Sequence, residues 1–474
     1  MTDYLLQLTF GEAQLQWYAR ITQVSQIVAL LTIPSVLLQR QGQPRAALAW
    51  LLMMFALPAV GVVGWWLIGR TSIVRKRRKR EARARAFAER YGPPHSEPCG
   101  AFDGLPERAL GDSIFTSQGN RVDLLFDGPS AFPEMERAVL SARRSVHVMF
   151  YIFRNDETGR RFRDLLVERA RAGLRVRVLI DAWGSPRFTG RFSDPLRAAG
   201  ASVAAFLPSH FMPLLAPRFN FANHRKLLVV DDRIAFLGGM NIGDEYARSW
   251  RDVMARIEGP SARALDHVFL DDWYFASKED VPLPERPPLI AAGTTDCAVI
   301  ASGPDRESYI HDAYFIVFTR ANERIWIVTP YFIPSDALAT ALKTAAGRNV
   351  DVRILLPSTS DVSVVKHAAR SYYPELLAAG VKIYEYQGPM LHAKAFIVDR
   401  DLSTVGSANV DTRSFKLNFE IGCFIHSRAH STQIATWYED LLADSHRVTV
   451  NEARNRSTSE KLLESAAHLF SPLL

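Results

Sequence analysis

The chain is poor in cysteine, with only Cys99, Cys297 and Cys423 in 474 residues. Their odd number and wide scatter exclude a disulfide framework and a metal-ligand spacing, and fit a reducing compartment. A basic leader is also lacking. Residues 1 to 20 are mixed, with Asp3, Glu12 and Arg20, which excludes a typical signal peptide. A net positive excess is lacking outside one stretch. The formal net charge is +7, yet Arg70 to Arg90 holds ten Lys or Arg against two Glu. The rest of the chain therefore sits near −1, with no surplus to neutralise a polynucleotide, and nucleic acid is not an expected partner. With 23% charged and 48% hydrophobic residues, the composition is that of a globular protein with a small membrane part. The length suggests two or three domains and a sizeable core.

Two uncharged runs lie near the start. Ile21 to Gln39 is diluted by Gln23, Ser25, Gln26, Thr32 and Pro34, and reads as a span or an interfacial segment. Ala46 to Gly69 is the stronger span. Its 24 uncharged residues exceed the about 20 that a bilayer core requires. Trp50, Trp65 and Trp66 lie near its ends, where interfacial aromatics belong, and Pro58 predicts a kink. Arg75 to Arg80 is unbroken Arg and Lys, which places that end in the cytoplasm and attracts anionic headgroups. Two spans then form a hairpin that returns the chain to the cytoplasmic side. Tyr91-Gly92-Pro93-Pro94 begins a linker.

Beyond Asn120 the hydrophobic pattern alternates between short apolar runs and amphipathic stretches. Strands are expected at Val122 to Phe126, Ser145 to Phe153 and Arg175 to Ile180, with helices at Phe132 to Ala142 and Arg160 to Ala172. The order repeats: strands at Cys297 to Ala301, Arg324 to Thr329 and Val350 to Leu356, helices at Tyr309 to Ala321 and Ser335 to Ala346. Such alternation predicts α/β layers with helices on both faces of a mixed sheet. Amphipathic helices follow at Gln433 to Ala443 and Arg454 to Phe470; the latter either packs on the domain or lies on a membrane. Before the first motif described below, Phe206, Phe211, Met212, Leu214 and Leu215 form an apolar loop broken by Pro208 and Pro213.

One pattern organises the chain. In the run from Leu391 to Glu420, His392 is followed by Lys394, four apolar residues and Asp399, then Ser407, Asn409 and Glu420. Upstream, His224, Lys226 and Asp231 repeat the spacing. Gly239 and Asn241 stand where Ser407 and Asn409 stand, and Asp252 and Glu420 each close a run 28 residues after its histidine. Two unrelated surface histidines would not share six positions. Alternation turns imidazole and ammonium the same way, a pairing suited to a phosphodiester. Two such pairs facing one phosphate supply a neutral histidine to attack phosphorus and a protonated one for the leaving alkoxide. Lys226, Lys394, Asn241 and Asn409 would steady the non-bridging oxygens, with Ser407 as a further donor. Asp252 and Glu420 are placed to hold a histidine Nδ1–H. Residue types alone leave open which histidine attacks. Lysines stand where a cation would, so neither metal nor cofactor is expected.

The doubled H-x-K-x4-D pattern with G-[GS]-x-N resembles the phospholipase D superfamily over roughly residues 120 to 445, and within it the bacterial cardiolipin synthases over nearly the whole chain. The resemblance implies two similar α/β/α halves about a pseudo-twofold axis behind a transmembrane hairpin. The expected division is 1–70 membrane segments (helices about 21–39 and 46–69), 71–115 basic segment and linker, 116–290 first half and 291–474 second half. It further implies His224 as nucleophile, His392 as acid and then base, and Asp231 and Asp399 as family motif residues with a largely structural part. The expected activity transfers a phosphatidyl group between two phosphatidylglycerols in the bacterial inner membrane, catalytic halves facing the cytoplasm. Water as acceptor would make it a phospholipase D; a nuclease or a silent membrane scaffold fits less well. A homo-oligomer stays open.

Overall fold

The computed structural model describes residues 12–41, 44–69, 99–102, 105, 114–206, 221–279, 281, 290–304 and 308–471. The basic run at Arg75–Arg80, the linker at Tyr91–Pro94 and the loop from Pro208 to Leu215 lie outside them. The described residues fall into two bodies, the N-terminal helices up to residue 69 and the remainder of the chain.

In the N-terminal body a helix runs from Glu12 to Gln39, uninterrupted at Pro34. Its Arg20–Gln39 part is, among the described residues, the helix long and apolar enough to cross a membrane. The balance between the two segments is thus the reverse of that expected from composition. The second run is broken into helices Pro44–Ala56 and Pro58–Gly64 and a π-turn at Trp65–Gly69. Pro58 has no N–H to give and starts a new helix, with Leu57 extended before it. Gly61 lets that helix lie close: a Cβ there would come within 2.7 Å of the Met54 backbone. Trp65 is packed inside this body, edge-on to Trp50 at 5.5 Å, and its indole N–H donates to Ser35 Oγ at 3.2 Å. It is therefore a packing residue, whereas Trp66 is exposed.

The second body is built on one sheet of sixteen strands among the described residues. From one edge inwards, the first half contributes Ser202–Phe206, Arg175–Asp181, Ser145–Phe150, Leu227–Val230, Ile234–Gly238, Val253–Glu258 and Ile114–Phe126. The second half continues outwards with Thr295–Ser302, Asn418–His426, Leu402–Gly406, Ala395–Val398, Arg324–Val328, Asp351–Pro357, Lys382–Tyr386 and Ser445–Val448. Read from the centre, the halves share one order over seven strands, and the second half adds Ser445–Val448 at its edge. The halves join where Ile114–Ser117 pairs antiparallel with Cys297–Ile300.

Matched sequences produce matched helices. Glu157–Arg171 is capped by Asp156, whose carboxylate accepts from Gly159 N, and buries Phe162, Leu166, Val167 and Ala170. Asp336–Gly347 is capped by Ser335 and buries Leu338, Ala341, Leu342 and Ala345. Side-chain caps of this kind contribute about 1 kcal/mol each. Helices of each half cover one face of the sheet, over separate apolar cores. The other face is covered by Pro260–Ser277 and Arg428–Ala443, which share one core with strands of both halves. A buried Leu or Phe contributes about 1.5–3 kcal/mol, so this shared core locks the halves together. At the C-terminus, the stretch expected as one helix is two, Val450–Arg454 and Thr458–Leu469. Ser457 and Glu460 form a capping box that starts the second.

Candidate active site

The two histidines arrive by the same device. Ala222–Asn223 pairs parallel with Asn418–Phe419, and His224 N donates to Phe419 O at 2.9 Å. Leu391 bridges Arg251, and His392 N donates to Arg251 O at 2.7 Å. Each histidine segment is thus tied to the backbone just before the other half's carboxylate. The orienting pairs are crossed as a result. His224 Nδ1 lies 3.0 Å from Glu420 Oε1, and His392 Nδ1 lies 2.9 Å from Asp252 Oδ2. The lysines join them: Lys226 Nζ donates to His224 O at 2.6 Å, and Lys394 Nζ stands 2.9 and 3.0 Å from the ring nitrogens of His392. None of these six residues is more than 9% exposed.

Burial sets the electrostatics. It pushes the His224 imidazole down to about 4, against the pull of Glu420. His392 is also lowered well below its ordinary value, by burial and then by Lys394 and Lys226. Lys226 is well below the ordinary ammonium range and Lys394 falls to about 8, both mainly through burial. The carboxylates part company. Burial raises Asp252 to about 6. It opposes the Glu420 charge too, but His224, Lys226 and the Ser407 hydroxyl outweigh it and hold that carboxyl low. Four basic side chains surround two carboxylates in a dry pocket, which leaves the cluster short of negative charge.

The other candidates fall in different places. Asn241 Oδ1 accepts from Ile152 N at 3.0 Å. Asn409 is buried beside Ser414, and its side-chain oxygen has no hydrogen-bond partner. The Ser407 hydroxyl donates to Glu420 Oε2 and accepts from Ile421 N at 3.0 Å, so it serves the carboxylate rather than a phosphate. At the equivalent Gly239, a Cβ would sit 2.3 Å from Asp252 Oδ1. Asp231 and Asp399 do not join the cluster. Each stands past the far end of its strand with positive φ, 56° and 52°. Asp231 accepts from Arg143, Arg144 and Ser145 N; Asp399 accepts from Asn322, Glu323 and Arg324 N. These carboxylates anchor the start of the neighbouring strand, a structural duty, because the four-residue strand separates them from the lysine.

Several residues at the site were not singled out from sequence. Arg225, between His224 and Lys226, is fully buried. Its Nε donates to Glu420 O and its Nη2 to Ser302 O, both at 3.0 Å, and it pairs with Asp272. Alternation turns it away from its neighbours into the sheet core, so a charged residue there signals a buried acid partner. Tyr151 packs on the His224 ring at 4.9 Å; Tyr246 and Trp250 pack on His392 at 5.6 and 5.2 Å.

Comparison with known proteins agrees with this layout. The family described as "Cardiolipin synthase, PLD-like domain" matches residues 135–273 and 315–442. The chain is 36% identical over 470 residues to a cardiolipin synthase of Geobacillus kaustophilus, covering 94% of this chain and 92% of that one. It is 34% identical over 478 residues to one of Alkalihalophilus pseudofirmus, covering 97% and 95%. Among solved structures, the phosphatidylserine synthase of Haemophilus influenzae shares the fold with a TM-score of 0.62 at 13% identity, covering 79% of this chain and all of that one.

Proposed function

The chain belongs to the cardiolipin synthases built from phospholipase D-like domains, and from that premise we propose that it is a phosphatidyltransferase that joins two phosphatidylglycerols into cardiolipin and releases glycerol. The observation that carries the reading is the single buried cluster of two histidines, two lysines and two crossed carboxylates. A phosphodiester monoanion supplies the negative charge this cluster is short of, restores the lysines to their ammonium form and raises His392 so that it can carry the proton it gives as acid.

Glu420 takes the Nδ1–H of His224 and leaves the Nε2 lone pair free. Nε2 attacks phosphorus; the P–N bond forms as the bond to the glycerol headgroup oxygen breaks. Protonated His392 gives that oxygen its proton. A hydroxyl of a second phosphatidylglycerol then returns a proton to His392 and attacks phosphorus, releasing His224. Lys226 and Lys394 balance the charge that gathers on the non-bridging oxygens. Asp252 orients His392, and Ser407 with Asn418 orients Glu420. The Arg225–Asp272 pair holds the Glu420 backbone and acts as a positioning element.

The enzyme is a bacterial membrane protein in this reading, with Arg20–Gln39 as the span and the catalytic body on the cytoplasmic side of the inner membrane. The Arg75–Arg80 run supports that orientation. A reporter fused after Leu474 should be active in the cytoplasm; activity confined to an external compartment would reverse it. The test of function is purified protein reconstituted with phosphatidylglycerol and read by lipid mass spectrometry. Cardiolipin and glycerol are expected. Phosphatidic acid without cardiolipin would make the enzyme a phospholipase D.

A further inference from the structure

The helix Thr458–Leu469 is turned inside out for a helix of a water-soluble surface. The side chains it buries are Glu464 and Ala467. Leu462, Leu463, Leu469 and the adjoining Phe470 are exposed by 50 to 78%. At 100° per residue, positions 462, 463, 466, 469 and 470 form one apolar stripe, with 467 at its border and 464 on roughly the opposite face. The helix is held to the protein by polar contacts. Glu464 bonds Arg456 at 2.6 Å, and His468 Nδ1 lies 3.0 Å from Ser371 Oγ with Tyr372 against its ring. An ordinary packing helix would reverse this arrangement, burying the leucines and exposing the glutamate.

Its location gives the stripe a use. The helix packs on Ser363–Arg370, and Ala467 joins Val365, Ala368 and Ile333 in a small core that Tyr331 also packs against. The Tyr331 hydroxyl donates to Asp361 at 2.7 Å, and the Asp361 charge acts on Lys394. The helix thus packs on the layer that carries Tyr331 and Asp361, whose charge reaches the catalytic lysine. Val362 and Val364, beside Asp361, are exposed as well. Among the described residues of the catalytic body, the other exposed large apolar side chains, Leu140, Trp183, Ile290 and Phe315, are far apart in sequence.

We propose that the stripe Leu462, Leu463, Leu469 and Phe470 docks on the lipid bilayer beside the active site, and so holds the catalytic body where headgroup phosphates reach the histidines. The occupant is the bilayer because the substrate of the proposed reaction resides there and its phosphate must reach a cluster that is almost wholly buried. Lys461 is exposed about 80° round the helix from Leu469, off the stripe, and its long stem can carry the ammonium back to anionic headgroups. The inference rests on the proposed lipid substrate for its purpose, but not for its geometry.

The experiment uses the full chain in phosphatidylglycerol-containing proteoliposomes. The native cysteines are all buried, so Leu463→Cys and Lys461→Cys can be labelled singly with an environment-sensitive fluorophore. Doxyl-labelled lipids should quench the label at 463 and spare that at 461. A water-exposed label at 463 overturns the proposal, as does a 463–463 crosslink between copies without quenching, which would assign the face to a second copy. In parallel, Leu462→Glu/Leu463→Glu should lower turnover of bilayer phosphatidylglycerol about tenfold or more. Its rate on soluble bis(p-nitrophenyl) phosphate should not change. Equal losses on both substrates would make the helix a fold element and overturn docking. Quenching in a protein that makes no cardiolipin would sink the substrate assignment while leaving docking intact.

Discussion

The two halves of the catalytic body agree in their histidines, lysines and crossed carboxylates and differ in the side chains that support those carboxylates. The second half keeps Glu420 under a hydroxyl from Ser407 and an amide from Asn418. The first half gives Asp252 a bare Gly239 and the Val253 N–H alone, and where Asn418 would be it has Trp250, tilted against the His392 ring instead. Because the pairs cross, first-half His224 leans on the well-supported Glu420 and second-half His392 on the poorly supported Asp252. A histidine on a permanently ionised carboxylate keeps its Nδ1–H and an open Nε2, as a nucleophile needs. A histidine whose partner accepts a proton near pH 6 is suited to passing protons. Duplication thus supplied two equal pairs, and the division of labour lies in their supports.

The largest expected effects break the pairs themselves. His224→Ala removes the only nucleophile at its position and should abolish the covalent adduct with any substrate. His392→Ala should lose about 10²–10⁴-fold as a general-acid deletion, yet still form adduct from a p-nitrophenyl phosphodiester, whose leaving group needs no proton. Acid quench and peptide mass spectrometry read the adduct. An adduct on His392 reverses the roles. The crossing is tested next. Glu420→Gln should behave like loss of His224, costing about 10⁴-fold and leaving no adduct. Asp252→Asn should behave like loss of His392 and recover with the activated substrate. If each carboxylate variant copied the histidine of its own half, the crossed pairing would be wrong.

The crossing was not legible in the sequence, for a physical reason. Both carboxylates fall 28 residues after the histidine of their own half, and linear spacing cannot tell a contact within a half from one across an axis. What the chain declares locally reads well: paired His-x-Lys, strands such as Ala395–Val398, and the matched helices over Phe162 and Leu342. The helix Pro260–Ser277 escapes because its buried face includes Ser261, Asp266 and Asp272 among its apolar residues, and their partners, His147 and Arg225, come from distant strands. The kink at Pro58 is legible, but not that it splits the span, because composition counts apolar residues and ignores that Gly61 lets the chain pack back on Met54.

Exchanging the supports should sharpen the comparison with smaller effects. Gly239→Ser places a Cβ against the Asp252 carboxylate and should displace it, with a loss of about hundredfold, the lower end for a misplaced acid. Ser407→Gly fits, because it removes atoms, and deletes one hydrogen bond to a charged group. That is about 1.5–3 kcal/mol, or tenfold to a hundredfold. The first should recover with the p-nitrophenyl substrate and the second should not. Matching recoveries would show that the supports do not distinguish the halves.

The smallest effect is in stability, and its sign differs between the halves. Asp252 rises in the folded protein from 3.8 to about 6, so the folded state holds that proton more tightly than the unfolded chain. Ionising it costs stability, fully above about pH 6 and not at all below the unfolded value. Glu420 moves the other way, below its ordinary 4.5. Its charge contributes stability above the unfolded value, which is lost as pH falls through the lower folded one. Near pH 7.5, Asp252→Asn should therefore raise the melting temperature by a few degrees while disabling the enzyme, and Glu420→Gln should lower it. Near pH 4 most of the Asp252→Asn gain should vanish, because the wild-type carboxyl is by then protonated. Thermal melts in detergent at the two pH values measure this. Shifts of the same sign at pH 7.5 would mean that the carboxylates are equivalent, and the argument that His224 owes its role to the better-supported one would lose its footing.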